Sequence, residues 1–464
     1  MSGDASWTVL PPPAPPPERD PVEGHARPGG HRGFFAFAST SMRGLSGPFL
    51  ALLGYLLLQV TFFDEEWPAV GRFRPRLLLG AVALTVAGVR ILTRERVRGE
   101  VAPAHRATTA WYVAFLVGGA FSALWAFEPQ VAKDVQIEMT TIMLSYVLVL
   151  VIVRTRREFV LTVLVLAAGS GLYLLRSFME YLNGKHQFTM GVSRMMGAGL
   201  SVSDPNSFAG TIAFSLPILT WCAVRTRLLF LRLCVVVYGL LATYCAIQTH
   251  SRSGLVLHIL NVLFALVMLP SRKVKLGLAV ALVGLGVWLA SSQTDEALDR
   301  YSSILSSKTY TKESSTVGRI EGYRIAFRMF AENPLTGVGP GCWPAYRMRR
   351  VDGDRLMPHN LTGQVVATYG LAGLVPFVGY LAAAFVFSFR TRRRLAASAD
   401  PWDAAVRDLA WVVPFTLVLL LVSGLGAHNV DRLAWYLLPA LLAVAVRATE
   451  AGDPIDRDAA GDPP

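Results

Sequence analysis

G-R-I-E-G-Y-R-I-A-F-R-M-F-A-E-N-P-L-T-G-V-G-P-G, Gly318 to Gly341, lies inside the only long polar segment between hydrophobic runs, Ser292 to Thr368. That segment opens with a charged, Ser-rich approach over Thr294 to Thr316 and closes on P-H-N at Pro358 to Asn360, where apolar sequence resumes. Its contrast with both flanks decides the fold class. If the flanking runs are membrane helices, this loop meets water while touching the bilayer, and it is where chemistry can happen.

Outward from the loop, the composition supports that division. Of 464 residues, 53% are hydrophobic and only 16% charged, so a water-soluble fold would have to hide an implausible apolar surface. A spanning helix needs about 20 mostly apolar residues. Twelve candidate runs of that order lie near 45–63, 77–92, 109–127, 135–153, 158–180, 207–223, 231–249, 253–269, 274–291, 360–388, 409–427 and 431–448, the last two open to a re-entrant hairpin. The expectation is an all-α polytopic membrane helix bundle of about 12 transmembrane helices, with one large extracytoplasmic loop containing short helices. Residues 1–44, with P-P-P-A-P-P-P at Pro11 to Pro17, cannot bury a core and read as a disordered cytoplasmic tail. Membrane helices follow over 45–291, the loop over 292–359, further helices over 360–448 and a second disordered cytoplasmic tail over 449–464.

The net charge of +12 could suggest nucleic acid, but its placement argues for a membrane orientation instead. Basic loops recur at every second connection: T-R-E-R-V-R after Leu92, R-T-R-R at Arg154, R-T-R at Arg225, S-R-K-V-K at Ser271 and R-T-R-R-R at Arg390. This positive-inside pattern puts these loops and both termini in the cytoplasm and the large loop outside. Arg72, Arg74 and Arg76 break the pattern, falling in the first outer loop.

Candidate site residues sit at outer helix ends. D-P-N at Asp204 to Asn206 supplies helix-starting chemistry, and Arg194 precedes it among glycines, where backbone can approach a ligand. Arg252, in S-R-S-G, stands at a membrane boundary, where a charge needs water, an anion or a carboxylate. In the loop, Ile320, Tyr323, Phe327 and Phe330 recur at helical spacing and mark an apolar face, suited to the membrane surface or to the bundle. Arg319 falls in that helix's first turn, near the positive end of its dipole, a favourable place for phosphate oxygens. His359, beside Asn360, can accept a proton near neutral pH at a water–membrane boundary. His428, in G-A-H-N-V-D-R, is a competing candidate base. D-G-D at Asp352 to Asp354 reads as a turn, and no metal site is assigned.

Taken together, R-M-M-G-A-G with D-P-N-S-F-A, T-H-S-R-S-G, the loop stretch quoted first, and P-H-N-L-T-G-Q-V-V-A-T-Y-G-L-A-G-L resemble the O-antigen ligase and polymerase superfamily of bacterial polysaccharide assembly, from about Gly191 to Leu374. The resemblance implies a metal-independent, cofactor-free inverting glycosyltransferase of the cytoplasmic membrane, working on its periplasmic face. Its donor would be an undecaprenyl-diphosphate-linked glycan. His359 would then be the base that deprotonates the acceptor hydroxyl, Arg194 with Arg252 or Arg319 would hold the donor diphosphate, and Asp204, Asn206 and Asn360 would support them. Thr368 stands where the family pattern implies a glutamate. A ligase would use a lipid A core oligosaccharide as acceptor and a polymerase another lipid-linked repeat. Transfer to protein Ser/Thr is a further family option, and a membrane transporter is the reading from a different class.

Overall fold

The computed structural model describes residues 45–66, 68–92, 103–189, 191–199, 203–291 and 315–451. Both expected tails, apart from residues 449–451, the basic stretch after Leu92 and the Ser-rich approach up to Ser314 lie outside the described residues. Helices α1 (Gly47–Thr61), α2 (Phe63–Glu66), α3 (Pro68–Gly71), α4 (Pro75–Leu92), α5 (Pro103–Leu124), α6 (Pro129–Ile152) and α7 (Arg156–Leu182) lead to a hairpin of β1 (His186–Thr189) and β2 (Val192–Met195). Helices α8 (Pro205–Arg225), α9 (Leu229–Gln248), α10 (Arg252–Met268) and α11 (Arg272–Ser291) follow. The loop contributes α12 (Ser315–Glu332) and α13 (Trp343–Arg350), and the chain closes with α14 (Leu361–Arg394), α15 (Pro401–Gly424) and α16 (Ala434–Ala451).

Each of the twelve apolar runs folds as a helix, and the two last are separate helices. Among the described residues, seven are long and apolar enough to cross a membrane by length and composition: α5, α6, α7, α8, α9, α14 and α15. Helices α1, α10 and α16 are shorter apolar helices. At 1.5 Å per residue a 15-residue helix such as α1 reaches only about 23 Å, short of a hydrocarbon core of about 30 Å. The expectation of about 12 spans thus becomes twelve helices, seven of which meet the requirements for crossing. The described residues are mostly helical, as expected, with one exception: β1 and β2 pair antiparallel, His186 opposite Met195, around a turn with Gly191 at φ +80°. H-Q-F-T and V-S-R-M are too short to show a period in the sequence.

Charged side chains tie the helices together at the bundle ends. At one, Arg447 donates to the carbonyls of Leu150 and Val153, and the Arg156 guanidinium lies 5.0 Å from the Trp402 ring centre. Arg225 pairs with Asp408 at the same end, near the start of α15. Helix direction carries the opposite ends of α8 and α15 to the other face, where Gly424 packs against Leu361 at the start of α14.

Helices α5 and α14 approach closely because small residues face bulk. A Cβ on Gly118 would come within 1.9 Å of the Ala372 carbonyl oxygen, and one on Gly379 within 2.4 Å of the Trp111 indole. Around them lies a core of tyrosines, with Tyr112 stacked on Tyr146 at 4.3 Å and close to Tyr380 and Tyr436. Each hydroxyl finds an oxygen partner, as burial of a polar tip demands. Gly118→Ala should therefore lower the melting temperature of the detergent-solubilised protein, by overpacking worth about 1–3 kcal/mol. Gly239→Ala, with nothing within 4 Å of its new Cβ, should leave it unchanged or raise it slightly.

Candidate active site

Helix α14 is broken near its start. Gly370 takes φ 57° and ψ −154°, which frees backbone groups on both sides of it. The glycine-rich turn from Pro334 to Gly341 fills the break. Val338 N donates to Ala367 O at 2.8 Å and Gly339 N to Thr368 O at 3.0 Å, while Leu371 N and Ala372 N donate to Pro334 O and Leu335 O at 2.9 Å. Ser122 Oγ from α5 donates to Thr336 O and Thr368 O. Only glycine fits here: Gly337 and Gly339 have positive φ, and a Cβ on either would lie within 2.4 Å of its neighbours. A run expected to be continuous is thus interrupted, with its polar backbone resatisfied by the loop, as apolar surroundings require.

This junction seats the loop. Gly322, Ile325, Ala326 and Met329 form the buried face of α12, and Cys342, Trp343 and Tyr346 add a small core against α6 and α14. The bundle contact is made by a different face from the apolar one read in the sequence, whose Ile320 and Phe327 are 62% and 55% exposed, one of the two placements that pattern allowed. The reason is Gly322, which carries no hydrophobic signal but lets α12 come so near Pro358 that a Cβ would meet its carbonyl oxygen at 2.5 Å. Arg319 stands one turn earlier on α12; its side chain lies outside the described residues. Asp352 to Asp354 folds as a turn clamped by Arg347, which donates to Asp352 at 2.8 Å, approaches Asp354 at 3.3 Å and donates to Leu356 O at 3.1 Å.

His359 is delivered by a helix cap. The Asn360 side chain accepts from Gly363 N and donates to Pro358 O at 2.8 Å, and Asn360 is fully buried. His359 is thereby held exposed at φ 47°, a left-handed conformation uncommon outside glycine. The chain repeats the device at α10: His250 takes φ 47° and the Ser251 side chain caps Gly254 N at 3.1 Å. Arg252, half-buried, is the first residue of that helix.

Arg194 is 5% exposed, with Nε donating to Thr249 O at 2.8 Å and Nη2 to Asn206 Oδ1 at 3.0 Å. The same Asn206 oxygen accepts from Ser251 Oγ at 2.8 Å. Asp204 caps α8, accepting from the amides of Asn206 and Ser207. Arg194, Asp204 and Asn206 thus join the hairpin, the start of α8 and the turn that presents Arg252.

The connection from Leu425 to Leu433 links this assembly to His359. His428 faces His359 with ring centres 5.9 Å apart. Farther along, Arg432 donates to Ser207 Oγ at 2.8 Å, and Val430 N donates to Gln364 Oε1 of α14. Asp431 and Arg432 also border a cavity of about 260 Å³ between α1, α6, α7, α8 and α16. Arg76, Glu138 and Gln59 add polar groups to it, while its remaining walls include Leu166, Phe214 and Leu438. Arg76, out of place as a loop charge, is ion-paired with Asp64 and Glu65. Sequence reading missed Arg432, Asp431, Glu138 and this role of Arg76. D-R after H-N-V was visible, but nothing local linked it to a cavity.

Residues 237–378 match the family model of the O-antigen ligase. Arg252, Arg319, His359 and Asn360 fall within the match, and Arg194, Asn206, His428 and Arg432 outside it. No curated protein matches the chain.

Asn360→Ala should lower the melting temperature, by a cap loss of about 0.5–2 kcal/mol, and Asn360→Asp, which keeps the acceptor for Gly363 N but sets a buried carboxylate against Pro358 O, should not restore it. The Arg347 guanidinium holds the Asp352 carboxyl below its ordinary value. Because the folded value is depressed, the clamp's contribution is present above about pH 4 and lost as pH falls below it. Limited proteolysis should therefore find the 351–358 segment more readily cut in Arg347→Met at neutral pH, and in the unaltered protein only under acid conditions.

Proposed function

We propose that this chain, which carries an O-antigen ligase-family segment over residues 237–378, moves a glycan from an undecaprenyl-diphosphate carrier onto a sugar hydroxyl, with inversion and without a metal. The observation that carries the reading is the capped, exposed His359 in the network that borders an amphipathic cavity. Such a cavity suits an amphiphile, its anionic head towards Arg432 and its first isoprene units among Leu166, Phe214 and Leu438.

In the reaction, the acceptor oxygen attacks the anomeric carbon as its proton passes to a ring nitrogen of His359. The bond from that carbon to the diphosphate oxygen breaks, and its electron pair leaves with the diphosphate. Guanidinium groups oppose the charge that develops there, being always protonated and shaped to grip two phosphate oxygens. Arg252 and Arg319 take that role, with Arg432 beside the cavity. Arg194, its donors turned to Thr249 O and Asn206, acts by fixing the turn that carries Arg252. Asp204 and Asn206 hold the same turn, and Asn360 holds His359.

The site faces the periplasm and the termini the cytoplasm of a bacterial cell, a reading supported by the short basic connections at Arg154–Arg157, Arg225–Arg227 and Arg390–Arg394. A ligase passing polymer to a lipid A core is the first reading and a polymerase joining repeat units the second; protein O-glycosylation and solute transport are the remaining ones. With purified protein in liposomes and a lipid-linked glycan donor, product on a lipid A core acceptor indicates a ligase. A ladder of lipid-linked repeats indicates a polymerase, and solute uptake without glycan transfer would overturn the enzyme reading. His359→Ala should lower kcat by about 10²–10⁴, the usual contribution of a general base, with its melting temperature unchanged. Full activity in that variant would remove His359 as the base.

A further inference from the structure

His428 has no role in the reaction as described, yet the fold positions it with care. Its connection is tied at several points: Asn429 Nδ2 donates to Leu420 O, Trp435 Nε1 to Asn429 O and Tyr436 OH to Val430 O. Gln364 and Ser207 bind the same connection to α14 and α8. The result is an imidazole held against His359 at 5.9 Å between ring centres, the planes tilted by 40°. His428 Nδ1 is buried without a hydrogen-bond partner among the described residues.

We infer that His428 is the proton relay of His359, a reading that rests on His359 being the base. Each transfer forms one carbon–oxygen bond, breaks one, and leaves the acceptor's proton on His359. The diphosphate departs as an anion and needs no proton, so the His359 imidazolium has to be discharged before the next cycle. His428 takes that proton through a ring nitrogen, directly or across one water, and passes it to solvent as His359 returns to its neutral form. An imidazole, with one nitrogen to accept a proton and a second to release one, is the side chain suited to such an exchange. Asp431 and Arg432, on the same connection, are the charged groups nearest in sequence; Arg432 is bonded to Ser207. His428 therefore acts through His359 and not on the substrate.

The test compares His428→Gln, which keeps bulk and hydrogen bonding but cannot relay, with His428→Ala and His359→Ala in the liposome transfer assay. The expected result is an unchanged donor KM, a kcat lower by roughly tenfold to a hundredfold, and recovery of His428→Ala by added imidazole. Full kcat in His428→Gln, a raised KM at unchanged kcat, or a folded His428→Ala that imidazole does not restore would each overturn the relay. If His428→Ala fails to fold, the Gln variant decides. An inactive His359→Ala beside an unaffected His428→Gln removes the relay alone, whereas an active His359→Ala removes the base reading beneath it.

Discussion

Four backbone hydrogen bonds between the Pro334 to Gly341 turn and the break in α14 are the constraint on which the site depends. A helix interrupted at Gly370 among apolar neighbours leaves amides and carbonyls that water cannot reach, and leaving them unpaired costs several kcal/mol each. The turn supplies the missing partners, and its glycines admit the close approach. The same contact pins the middle of the stretch that runs from α12 through α13 to His359. A polar loop is thereby built into the bundle and does not merely connect two of its helices.

That anchoring explains why histidine presentation is left to helix caps. With the loop seated, the start of α14 is fixed in space, and Asn360 needs only to hold one residue in a left-handed conformation to aim His359 outward. Ser251 does the same at α10, so Arg252 begins a helix whose turn is gripped by Arg194 and Asn206. The two caps belong to different helices. The connection between α15 and α16 brings them into one assembly, through Gln364 on one side and Ser207 on the other.

Local chemistry was legible wherever a residue's role is set by its immediate neighbours. D-P-N reads as a helix start and caps α8; D-G-D reads as a turn and folds as one. Which face of α12 meets the bundle was not legible, because hydropathy scores Ile320 and Phe327 above Gly322, although it is the missing side chain of Gly322 that permits the contact. Arg76 looked anomalous by the loop-charge rule, which counts basic residues along the chain and does not register that Asp64 and Glu65 of α2 neutralise it at the start of α4.

The sequence by itself determined the material of this protein: apolar runs that become helices, a polar loop between them, and histidines and arginines at helix ends. It did so because hydrophobic periodicity, capping and charge placement act over a few residues. Tertiary structure alone decided the break in α14, the burial of Arg194, the cavity beside Arg432 and the meeting of His359 with His428. These depend on backbone approach and on side chains far apart in the chain, set by how close two helices can come and which polar groups must then be satisfied.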